Sequence, residues 1–167
     1  MTDRRTDLIA ALEASLGRPR DGLPEDVFEF VSRVTPLVNV DLLIKDPGGR
    51  TLLTWRDDRF YGPGWHVPGG IIRFHERAVD RAHACARAEL GADVDVEPAP
   101  LFVLESIRGE GTRGHSISLL LRCRLTSALD ASLSAGVGRP SAGQWRWHEG
   151  CPPDLIPEQA VYEPFFR

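Results

Sequence analysis

The residues best equipped for chemistry cluster in one run, GWHVPGGIIRFHERAVDRAHACARAELG, from Gly64 to Gly91. Gly69 and Gly70 allow a backbone to approach a ligand closely and to adopt angles that other residues avoid. A helix leaving such a turn starts with unpaired N–H groups, which attract anions. Near its far end stands Glu89, a carboxylate where the helix dipole disfavours negative charge. If partly buried, Glu89 needs a cation, either a side chain or a metal ion. A hard divalent ion such as Mg²⁺ takes carboxylate, carbonyl and water oxygens. A solvent-exposed glutamate is the alternative reading of the same residue. Glu76, Asp80, His83 and Arg87 share one helix face and read as a solvated stripe.

Positioning these groups calls for strands on both sides of the helix. Val38, Val40, Leu42 and Ile44 alternate along a strand, DPGG (Asp46 to Gly49) turns the chain, and Arg50 to Arg56 returns as a second strand. Asp57 to Gly64 is expected to be a loop, followed by a short strand at WHV. The alanine-rich stretch Glu76–Leu90 contains no Gly or Pro and predicts the central helix. Asp93 to Ile107 gives one or two strands interrupted at Pro98 and Pro100, and GEGTRG (Gly109 to Gly114) a hairpin loop. In HSISLLLRCRL, Ile117, Leu119, Leu121 and Cys123 are expected inward, with Ser116, Ser118, Arg122 and Arg124 on the other face. Gln144 to His148 forms a last strand, and a short helix is expected near Pro157 to Tyr162. Before all of these lie two helices, one capped by Thr6 with Leu8, Ile9, Leu12 and Leu16 on one face, the other from Pro24 to Arg33. They suggest an appendage or a dimer-forming segment, which divides the chain into an extension, 1–34, and a main domain, 35–167. The order of elements is that of an α+β sandwich rather than a doubly wound sheet.

Composition narrows the function. A chain of 167 residues with 42% hydrophobic residues can build a sizeable single core. A net charge of −4 argues against electrostatic nucleic-acid binding. Cys85, Cys123 and Cys151 are odd in number and lack a C-x-x-C pair, which points to reduced thiols. The charged, amphipathic N-terminus is unlike a signal peptide, and no apolar run could span a membrane, so a cytoplasmic location is expected.

The central run resembles the Nudix box, G-x5-E-x7-R-E-U-x-E-E-x-G-U. Gly70, Glu76, Glu89 and Gly91 fall in register, whereas Ala84, Cys85, Ala88 and Ala92 depart from it and Ala86 weakens the first aliphatic position. ARAELG, VSRVTPLVNVDLLI, GGRTLLTWR and GWHVPGG are similar to the GDP-mannose mannosyl hydrolase branch of that family, which also keeps A-E-L-G. The resemblance runs from about Val31 to about Glu97, resumes on HSISLLLRCRL, and covers over half the chain. It implies a Nudix-type α/β/α sandwich with a mixed sheet and a central Nudix helix. It also implies a Mg²⁺ ion, replaceable by Mn²⁺, held by the carbonyl of Gly69 and by Glu89. Arg56 is implied against the phosphates, with Asp41 and Gly70 lining the substrate site. The implied substrate is a nucleotide sugar, GDP-mannose-like, with water attacking the anomeric carbon; a homodimer is implied as well. The branch's arginine after PGG and its helix arginine are here Ile71 and Ala84, its tyrosine is Ser116, and its Gln-His pair falls on Ser141 and Ala142. In their absence His115 is the expected general base, with His148 as the alternative, and Gln144 could shift into the metal role. The rival reading is a non-catalytic Nudix-like nucleotide-binding or interaction module.

Overall fold

The computed structural model describes residues 3–109 and 111–167. The first strand, β1 (Leu37–Ile44), turns through Asp46–Gly49 into β2 (Thr51–Asp58). Asp46 closes that turn by accepting the Arg50 N–H at 2.9 Å. β2 continues past the expected loop start: Asp57 and Asp58 pair with Pro63 and Gly62 at the head of β3 (Gly62–His66). The expected eight-residue loop is therefore a hairpin whose turn is only Arg59, Phe60 and Tyr61, closed where Gly62 takes a φ of 67°.

β4 (Gly69–Ile71) leads to α3 (Ala78–Leu90), which ends on Gly91 in the left-handed conformation with φ 60°. The helix starts two residues later than its pattern suggests. Glu76 remains outside it, accepting the Arg73 N–H and pairing with Arg81 at 2.7 Å. Both side chains of that pair are nearly buried, so Glu76 does not belong to a solvated stripe. β5 (Val94–Val96), β6 (Phe102–Ile107), β7 (His115–Leu125) and β8 (Trp145–His148) follow, and a 3-10 helix, Pro157–Phe165, closes the chain.

The strands form two sheets. In the five-stranded sheet β1 runs parallel to β7 and antiparallel to β4, while β5 and β6 both pair antiparallel with β7. The second sheet, β3-β2-β8, is antiparallel throughout. Ala82, Cys85, Ala86 and Leu90 of α3 pack with Val40, Leu42, Ile44, Leu121 and Cys123 from one face of the five-stranded sheet. Leu43 and Leu120 from its other face join Trp55, Trp65, Val67, Tyr162 and Phe166 in a second core. The result is the expected α+β sandwich with a mixed sheet and α3 at its centre. Burial on both faces explains why β7 departs from simple alternation: Leu120 is as buried as Leu121, and Leu119 and Ile117 are only half-buried.

Of the two N-terminal helices, α1 (Arg4–Ser15) buries none of its residues, and its cap is Asp3, which accepts the Arg5 N–H, rather than Thr6. α2 (Glu25–Val34) is docked. Its Glu25 and Glu29 pair with Arg59, and its Ser32 accepts the Arg113 N–H. Among the described residues no helix is long and apolar enough to cross a membrane. The three cysteines are free.

Candidate active site

A cleft of about 450 Å³ opens where β1, β2, β3, β4, β6 and β7 converge. Strand parity decides what it contains. On β1, Leu37, Asn39 and Asp41 face it; on β2, Thr54 and Arg56 do; on β7, Ser116 and Ser118 do. The turn glycines contribute backbone. Asp41 and Gly69 form a non-hydrogen-bonded pair of the β1–β4 ladder, since the bonds run from the Leu42 N–H to the Pro68 carbonyl and from the Ile72 N–H to the Val38 carbonyl. The Gly69 N–H and carbonyl therefore lie outside the ladder, and the N–H donates to Glu89 Oε1 at 3.0 Å. Both glycines are required by contact. A Cβ on Gly69 would lie against the Val40 carbonyl and 2.8 Å from Asp41 Oδ1, and one on Gly70 would lie 2.9 Å from Cys85 Sγ.

Glu89 reaches the cleft from the last turn of α3. Its Oε2 accepts the Thr54 hydroxyl at 3.0 Å, and the same hydroxyl lies 3.0 Å from His66 Nε2. His66 Nδ1 donates to the Val67 carbonyl at 2.8 Å. With Nδ1 protonated, the neutral imidazole leaves Nε2 an acceptor, so Glu89 and His66 share the single Thr54 hydroxyl proton. Burial raises the Glu89 pKa to about 7, against the Gly69 N–H, Thr54 and Arg56, with Asp41 adding to the rise. An imidazolium is disfavoured because burial, then Arg56, lowers His66 to about 4.

Asp41 is a second desolvated acid, 8% exposed. Burial raises it to about 6, although Tyr162, Ser118 and Arg56 all favour its ionised form. Tyr162 Oη donates to Asp41 Oδ2 at 2.7 Å. Among the described residues neither acid forms an ion pair. Two arginines of the cleft are taken by other carboxylates, Arg56 by Asp58 at 2.6 Å and Arg108 by Glu158 at 2.8 Å. Arg56 also lies over the Tyr61 ring, 4.3 Å from its centroid, so Asp58 and Tyr61 fix its direction. Among the described residues no three His, Cys, Asp or Glu side chains gather as a metal cluster. The oxygens available to a cation are those of Glu89 and Asp41 and the off-ladder carbonyl of Gly69. That all-oxygen set, with two carboxylates outside these ion pairs, fits a hard divalent ion.

Asp41, Arg56, Gly69, Gly70 and Glu89 are thus brought together. His115 is not: it points away from the cleft wall that its neighbour Ser116 joins, and its Nε2 sits 3.2 Å from Glu105 Oε1. The base role assigned to it finds no geometric support, because one step along a strand reverses the side chain. His148 packs edge-on against Trp65, and Gln144 accepts the Ser141 N–H; neither lines the cleft. Thr54, His66, Ser118, Arg108, Arg113 and, behind Asp41, Tyr162 are the residues that sequence reasoning missed. Thr54 and Ser118 carried a signal, two residues from Arg56 on β2 and from Ser116 on β7 and hence on the same faces.

A MutT NUDIX hydrolase from Burkholderia pseudomallei superposes with a TM-score of 0.58 at 20% identity, over 80% of this chain and 99% of that one. A NUDIX family hydrolase from Clostridium perfringens superposes with a TM-score of 0.53 at 14% identity, over 78% and 94%. The chain has the Nudix fold. A UDP-X diphosphatase shares that Nudix fold with a TM-score of 0.58 at 17% identity, over 98% of this chain and 80% of that one. No protein-family model matches the sequence. A curated relative, the low-salt glycan biosynthesis protein Agl8 of Haloferax volcanii, is 38% identical over 80 residues. The match takes in 48% of this chain and about half, 51%, of that protein's length.

Proposed function

We propose that the chain is a Mg²⁺-dependent Nudix hydrolase that cleaves a nucleoside diphosphate from a sugar, with a GDP-mannose-like molecule as the first substrate to test. The observation carrying this reading is the pair of desolvated carboxylates, Asp41 and Glu89, beside the Gly69 backbone and without an ion pair among the described residues. The glycan-biosynthesis relative supports a nucleotide sugar as the first class to test.

Glu89 and the Gly69 carbonyl would hold a divalent ion, which when bound would supply positive charge against a departing diphosphate. Arg56, aimed by Asp58 and Tyr61, adds a fixed cation to the same oxygens. Thr54 holds the Glu89 carboxylate in one orientation. With His115 outside the cleft and His66 tied at both ring nitrogens, Asp41 takes the proton of the attacking water, its raised pKa suiting it to accept one near neutrality. Water adds at the anomeric carbon, and the C–O bond to the diphosphate breaks.

Incubation with Mg²⁺ and a panel of nucleotide sugars, followed by product analysis, tests this. Nucleoside diphosphate plus free sugar is the expected outcome; nucleoside monophosphate would move the attack to phosphorus. Glu89→Gln should lower kcat by about 100-fold or more. Absence of Mg²⁺-dependent turnover on the whole panel would sink the proposal. The single helix carboxylate in the cleft favours one second reading, a nucleotide-binding module without catalysis. That reading predicts thermal stabilisation by nucleotide that survives Glu89→Gln.

A further inference from the structure

Arg113 lies on the β6–β7 loop and forms part of the cleft wall, yet the reaction above assigns it nothing. Its surroundings are built. Its guanidinium carbon lies 4.0 Å from the Phe60 ring centroid and 5.0 Å from that of Phe28, so aromatic rings from the β2–β3 turn and from α2 hold the cation by its face. Its backbone takes a φ of 60°, fixed by an N–H bond to Ser32 Oγ at 3.3 Å and by a carbonyl that accepts from Arg108. A guanidinium held by its face offers only in-plane N–H donors, the geometry that suits a carboxylate or phosphate.

What these donors meet within the protein is little. Arg56 is paired with Asp58, Arg108 with Glu158, and Arg59 with Glu25 and Glu29. Among the described residues no carboxylate pairs with Arg113, and its Nε is buried without a hydrogen-bond partner. Burial holds its pKa below the usual arginine range; Tyr61 and Asp58 act against this, Arg56 and Arg59 with it. A desolvated cation without a paired carboxylate of its own is stabilised by an incoming anion. In the proposed reaction the diphosphate is already met by the metal ion and Arg56. Arg113 is one positive charge more than that substrate requires.

We propose that Arg113 makes this cleft selective for nucleotides bearing a third anionic group beyond the diphosphate, with Phe28, Phe60 and Ser32 positioning it. This inference rests on the nucleotide-sugar hydrolase reading. The shared chemistry is one extra in-plane acceptor, supplied either by a sugar carboxylate or by a third phosphate.

The test compares kcat/KM of the full chain with Mg²⁺ for UDP-glucose against UDP-glucuronate and GDP-mannose against GDP-mannuronate, and the inhibition constants of UTP and GTP against those of UDP and GDP as competitive inhibitors. Wild type should favour a charged member by about ten-fold or more, as one charge-assisted bidentate contact supplies. Preference for the hexuronate assigns the carboxylate, and preference for the triphosphate assigns the phosphate. Arg113→Gln should bring that ratio close to one, and Arg113→Lys should keep part of it. A wild-type ratio near one, or a ratio unchanged in Arg113→Gln, overturns the proposal. If no compound is hydrolysed, the hydrolase reading fails and selectivity is read from melting temperature with the same ligands. A larger upward shift with the charged member, lost in Arg113→Gln, supports Arg113; equal shifts or none overturn it.

Discussion

Glu89 is stabilised by hydroxyl and amide donors where a buried anion would normally have a cation, and this gives its stability contribution a sign. Its folded pKa is about 7, above the reference 4.5, so between those values the folded chain binds more protons than the unfolded chain. Stability from this group is full below about pH 4.5 and is lost as pH rises through 7. In metal-free protein, Glu89→Gln should therefore melt above wild type at pH 8, by a free energy on the order of 3 kcal/mol, and the gap should close near pH 4.5. Thermal melts at the two pH values measure it, and a variant that is less stable at pH 8 would contradict the desolvated carboxylate. Asp41 acts in the same direction with a folded pKa of about 6. His66, depressed to about 4, acts oppositely, losing stability as pH falls from 6.5.

The elements differ in how strongly they are tied to this site. α3 is fixed along its length by small residues, Ala82, Cys85 and Ala86, that let it sit close to β1 and β4. α2 is tied through Arg59 and Ser32 to the two loops that bring Phe60, Tyr61 and Arg113 to the cleft. α1 has no such tie; Leu8 is 63% exposed and Ile9 50%. Deleting residues 3–17 should leave the melting temperature within about 2 °C of wild type, since none of the residues of α1 is buried. A drop well beyond that, in a scanning calorimeter, would mean that α1 is covered by something else. The pattern of β1, the Asp46–Gly49 turn and α3 was legible because period and turn chemistry are local. The β2–β3 hairpin was not, since pairing of Asp57 and Asp58 with Pro63 and Gly62 is decided by the partner strand.

At the scale of the molecule, the cleft is closed by contacts between distant parts of the chain. Tyr162, from the terminal 3-10 helix, reaches Asp41 on β1 across 121 positions of sequence. Tyr162→Phe removes a donor to a buried acid and should cost about 1–3 kcal/mol. Because that hydrogen bond favours the ionised carboxylate, its loss should also move the acid limb of the pH–rate profile upward. An unmoved limb together with an unchanged melting temperature would show that the bond matters to neither.

The sequence by itself determined which segments become strands and helix, and that Gly69, Gly70 and Glu89 stand at the two ends of one turn-helix unit. Spacing along a helix and composition of a turn are properties of neighbouring residues. Only the tertiary structure decided that Thr54, His66, Ser118 and Arg113 face the same cleft, that Tyr162 backs Asp41 from the core, and that His115 does not face it. Those outcomes depend on strand register and on which loops meet. Register is fixed by burial summed over whole faces, and a shift of one residue would have reversed every assignment on β7.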